Sequence, residues 1–84
     1  MSSDRPFYGL AKFQEGTKVR ITTRENLEEF LRTWKFHHKL DREQIEYAER
    51  SATVEKVFMY HGGDIIYQLE NIPGLWHQHL LEGP

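Results

Sequence analysis

The chain has 84 residues and no cysteine, which excludes disulfides, thiolate metal sites and thiol nucleophiles and leaves a small core to be held by packing alone. Its 11 basic and 13 acidic side chains give a formal net charge of -2, so no general electrostatic pull on nucleic acid or anionic lipid is expected. The opening MSSDRPFYGL has neither the charged start nor the apolar run of a secretory signal, and no segment approaches membrane-spanning length; the expectation is a cytoplasmic protein without a membrane partner.

Residues 1–12 read as a flexible N-terminal segment and 13–84 as one domain. After the turn-like EG, KVRIT alternates polar and apolar, with Val19 and Ile21 inward, as a half-buried strand requires. The period then changes. In TTRENLEEFLRTW, Leu27, Phe30, Leu31 and Trp34 recur at helical spacing, and Thr22 with Glu25 three residues on predicts a capping box. A second, shorter helix is expected from Asp41, with Gln44 at its third position and Leu40 and Ile45 as a hydrophobic staple.

From Ser51 the residues are β-branched and aromatic. Val54 and Val57 have opposite parity, which predicts either a bulge or a strand covered on both faces. HGGD supplies a hairpin turn, and IIYQLE returns with Ile65, Tyr67 and Leu69 on one face. Pro73 and Gly74 in IPGL suit the centre of a type II turn, and WHQHLLE closes the chain as a short strand or strand-like turn. The whole is mainly β with one or two short helices: a small antiparallel barrel with a helical insertion after the first strand.

This order, carried by EGTKVRI, SATVEKV, IIYQLE and PGLWHQHLLE, resembles the small SH3-like barrels grouped around the photosystem I accessory subunit, the ferredoxin:thioredoxin reductase variable chain and the nitrile hydratase β subunit. The resemblance covers residues 15–82. ERSATV stands where that group has glycines before its central strand, and the excursion after the first strand reads as helical rather than as an open loop. The resemblance implies a docking or scaffolding part rather than an activity, since fold alone does not specify function.

Four groups of residues carry chemistry worth weighing. If 76–82 is extended, His77 and His79 share a face and form half of a metal site. A third ligand would come from His37, His38, His61, Asp64 or Glu82, and no spacing selects among them. In YHGGD, His61 could act as a base oriented by Asp64, against the simpler reading that the glycines and Asp64 build the turn. The paired His37 and His38, with Lys35 and Lys39, read as cations at the end of the first helix, favoured by its dipole. Among the many aromatics, Tyr60, Tyr67 and Trp76 are the expected contact patch, against the equal claim of core packing.

The resulting expectation is a non-enzymatic protein-interaction module or accessory subunit that needs no cofactor. Its protein partner is expected on Tyr60, His61, Asp64, Tyr67, Trp76, His77 and His79, and by resemblance is a larger enzyme such as a nitrile-hydratase-like one. A histidine-based metal binder or small enzyme is the alternative, and nucleic acid is the least favoured partner.

Overall fold

The computed structural model describes residues 11–60 and 63–83. Five antiparallel strands form one sheet in the order β4-β3-β2-β1-β5. They are β1 (Lys18–Ile21), β2 (Ser51–Met59), β3 (Ile65–Leu69), β4 (Ile72–His77) and β5 (Leu81–Glu82). Helix α1 (Arg24–Thr33) and a 3-10 helix (Arg42–Tyr47) occupy the connection from β1 to β2, and a second 3-10 helix (Gln78–Leu80) precedes β5. The sheet curls into a half-barrel with its helical insertion after the first strand. The fold class expected from the sequence is therefore the one observed.

The curl has a local cause. The first half of β2 pairs with β1, Lys18 opposite Thr53 and Arg20 opposite Ser51. Its second half pairs with β3, from Lys56 opposite Gln68 to Met59 opposite Ile65. Between the halves the register slips at Val54 to Lys56. An extra residue at that point reverses the parity of Val54 and Val57 and bends the strand, as bulges do. The inner surface then closes over Val19, Ile21, Leu27, Leu40, Ile45, Val54, Tyr67, Leu69 and Trp76, all buried.

Helix α1 is capped by Thr23, not by Thr22. The Thr23 hydroxyl accepts the Asn26 N–H at 3.3 Å, while Thr22 is held by the sheet, its N–H on the Leu80 carbonyl at 2.9 Å. Edge pairing thus removes Thr22 from the capping position. The next element agrees with its staple, since Leu40 and Ile45 are both buried, but it winds as a 3-10 helix.

The turn expected at Pro73–Gly74 lies elsewhere. Leu69 pairs with Ile72, so the chain reverses at Glu70–Asn71, where Asn71 adopts φ +60°. Pro73 and Gly74 fall inside β4, where the register shifts between the Gln68–Leu75 and Leu69–Ile72 pairs. They form a bulge, and Gly74 supplies its left-handed residue at φ +87°. Against it lies Gln44, buried, which donates from Nε2 to the Leu75 carbonyl at 3.0 Å and accepts the Asp41 N–H at 2.8 Å.

Residues 1–10 of the expected N-terminal segment lie outside the described residues. Lys12 and Phe13 are already tied to the barrel. Phe13 is buried edge-on against Tyr67 and donates its N–H to the Tyr67 hydroxyl at 3.2 Å. That hydroxyl donates in turn to Gln78 Oε1, which also accepts the Lys12 N–H at 2.8 Å. Burial pushes the Tyr67 phenol up from its ordinary value of 10.0, keeping it a donor. No helix is long and apolar enough to cross a membrane among the described residues.

Candidate functional site

Antiparallel pairing places directly opposed residues on one face of the sheet. Val57, Tyr67 and Trp76 are opposed across β2, β3 and β4, and so are Phe58, Ile66 and His77. The first row points into the core. The second therefore faces outward, yet Ile66 and His77 are 0% and 1% exposed. His77 is covered by the end of α1 and the chain leaving it.

That covering segment is WKFHHKL, residues 34–40. Trp34 ends α1 in extended conformation, φ -83° and ψ 114°, so the chain beyond it leaves the helix axis. Phe30 and Trp34 stack on each other at 5.2 Å, and both press on the His77 ring at 4.9 Å. The next turn is anchored by two side-chain donors: Trp34 Nε1 to the His37 carbonyl at 2.6 Å, and His77 Nε2 to the His38 carbonyl at 2.9 Å. They hold His38 at φ +50°, a left-handed conformation that costs a non-glycine residue of order 1 kcal/mol and clusters at functional positions.

The turn brings His37 against the β2–β3 hairpin. Its ring stacks on Tyr60 at 3.9 Å and 17°. Its Nε2 lies 2.7 Å from Asp64 Oδ2, and its Nδ1 lies 2.8 Å from Nδ1 of His38. An ionised carboxylate only accepts, so the Nε2 of His37 carries the hydrogen donated to Asp64. Burial lowers the pKa of His77 below the ordinary 6.5; its bond to the His38 carbonyl opposes the shift and His37 adds to it. A neutral imidazole that donates through Nε2 results.

Large apolar side chains remain exposed at this same end. Phe36 is 68% exposed, with its ring edge-on to Trp34 at 5.0 Å. At the close of β2, Phe58, Met59 and Tyr60 are 41%, 48% and 37% exposed. Lys35 and Lys39 flank the turn, both exposed, and no acidic residue occurs between 34 and 40.

The expected site residues are thus divided. Tyr60, Asp64 and His77 come together. His61 lies outside the described residues. Tyr67 and Trp76, expected on the contact patch, are both 0% exposed and belong to the core, because their strand parity turns them inward. His77 and His79 do not share a face: the 3-10 helix starting at Gln78 breaks the extended backbone on which that pairing depended, leaving His77 buried and His79 exposed. Glu82 pairs instead with Arg20 at 3.8 Å. Among the described residues no group of three or more His, Asp or Glu is disposed to hold a metal ion.

His37 and His38 are not helix-end cations, since α1 stops at Thr33, and the dipole falls off within its last turn. With Trp34 and Phe36 they form the centre of the site, which the helical reading missed. Trp34, expected as the last position of the helical stripe, is the extended residue that ends α1, and the available signal was the Phe and two His that follow it, too polar to continue the stripe and too aromatic for an idle loop. Compared with protein-family models, with curated proteins and with solved structures, the chain matches none of them.

Proposed function

We propose that the chain is a small non-enzymatic interaction module or accessory subunit that docks a protein partner on the surface formed by Phe36, Phe58 and Tyr60. The observation that carries this reading is the exposure of three large aromatic side chains, Phe36, Phe58 and Tyr60, at one end of a domain this small, beside a turn braced by two side-chain donors. Exposed apolar groups on a rigid support are the usual material of an interface. Lys35 and Lys39 give that surface a basic rim, so the partner segment is apolar with acidic flanks. The resemblance to SH3-like accessory chains supports a larger enzyme, of the nitrile-hydratase-like kind, as the owner of that segment.

The test is a photo-activatable residue introduced at position 36 or, as a control, at position 70, in the turn at the far end of β3. Position 36 is expected to crosslink one protein from the native cell through an acidic, apolar stretch, and position 70 is not. Equal products from both positions, or none from position 36, would overturn the reading.

A further inference from the structure

The bond between His37 and His38 restricts where protons can go. Two imidazole nitrogens 2.8 Å apart share one hydrogen; with none or two between them the contact is repulsive. Since His37 Nε2 carries the hydrogen given to Asp64 at 2.7 Å, its Nδ1 accepts in the neutral pair, and His38 Nδ1 donates. His38 is thereby left with a bare Nε2 on an exposed ring. This is the opposite of the tautomer that His77 adopts, with Nε2 donating to the His38 carbonyl.

One proton can enter without breaking a bond in this chain. It binds at His38 Nε2; the shared hydrogen between the two Nδ1 atoms and the hydrogen on Asp64 stay in place. A second proton has no such place and would split the pair. We propose that Asp64, His37 and His38 form a one-proton relay that presents His38 Nε2–H as the anchor for a carboxylate of the docked partner, so that docking takes up a proton. The inference rests on the docking surface proposed above and assigns its polar contact.

The groups facing the relay fit this role. Asp64, on the hairpin, balances the added charge through His37, and its backbone carbonyl is fixed by the Tyr60 N–H at 2.8 Å. Tyr60 covers one face of the His37 ring and stands edge-on to His38 at 5.1 Å. His77, on β4, lies 5.4 Å and 6.4 Å from the His37 and His38 rings, and burial holds its pKa below the ordinary 6.5, which disfavours it as the place of the proton. Lys35 and Lys39 flank the pair in sequence and add attraction for the incoming acid. Phe36 stands beside them for the apolar part of the segment. The proton comes from solvent and ends between His38 Nε2 and the partner's carboxylate oxygen.

Two readouts test this on the intact chain. Nitrogen-15 NMR of the histidine rings at about pH 8 is expected to find His38 in the Nδ1–H form, with His37 and His77 in the Nε2–H form. A short blocked peptide of Glu, Asp and Leu is expected to bind more tightly as pH falls, by at most about tenfold per pH unit for one linked proton. Its Gln, Asn and Leu counterpart is expected to show no such dependence. H38Q is expected to remove the pH dependence, and D64N, which still accepts from His37 but lacks the balancing charge, to move it to lower pH, while the β-sheet spectrum stays native. His38 in the Nε2–H form, or acidic-peptide binding that does not change with pH, would overturn the relay and leave the docking reading standing. No acidic-peptide binding at any pH, with the tautomers as expected, would overturn the docking reading and the carboxylate anchor with it.

Discussion

Gly74 shows how one residue can carry a constraint without any side chain of its own. Its φ is +87°, and a Cβ there would sit 2.7 Å from Gln44 Nε2. Gly74→Ala is therefore expected to lose about 1–3 kcal/mol, combining backbone strain with displacement of a buried amide, as read by urea unfolding. The glycine was visible in the sequence, but IPGL fits a type II turn equally well, and only pairing across β3 decides between turn and bulge. His77 makes a second prediction. Its folded pKa lies below the ordinary 6.5 because it is buried, whereas the unfolded imidazole titrates normally. The unfolded chain thus binds the proton first, so His77's contribution is complete above about pH 6.5 and is lost as pH falls from there toward the depressed value. Melting temperature should drop on acidification from about pH 7.5 to about pH 5.5, and the drop should be smaller in His77→Gln, which keeps a donor for the His38 carbonyl. An equal or larger drop in that variant would remove His77 as the cause.

At the scale of elements, the strands and helix were legible because each carries its own period. Val19 and Ile21 alternate, Leu27, Phe30 and Leu31 follow a helical stripe, and the changed parity from Val54 to Val57 left a bulge or a doubly covered strand, of which the register has the bulge. Segment 34–40 has no period. Its conformation is set by partners distant in sequence, Asp64 from the hairpin and His77 from β4, and such pairings are not written in local spacing. Tyr67 shares a face with Ile65 and Leu69 by local alternation, but that Trp76 lies opposite it on the same buried face is decided by the strand register. The cap on α1 is a local matter with a local test. Thr23→Ala is expected to cost about 1 kcal/mol, and Thr22→Val to act differently, through the Asn26 amide that bonds its hydroxyl at 2.9 Å. If Thr22→Val shortened the helix by circular dichroism while Thr23→Ala did not, the cap would be misassigned.

For the molecule as a whole, the same aromatic abundance serves two ends, and the sheet's two faces separate them. Trp76 fills the core, so Trp76→Ala is expected to cost about 3–5 kcal/mol and to leave so small a domain largely unfolded. Phe36 touches the body of the protein mainly through the Trp34 edge, and its replacement belongs with surface changes, within about 0.5 kcal/mol. Folding and docking should therefore come apart at these two positions. The most direct measurement is the affinity of Phe36→Asp for the protein crosslinked from position 36. The variant is expected to keep the wild-type melting temperature and to bind at least about tenfold more weakly, as for an exposed apolar anchor replaced by a charge facing acidic flanks. Undiminished affinity in that folded variant would contradict the docking reading.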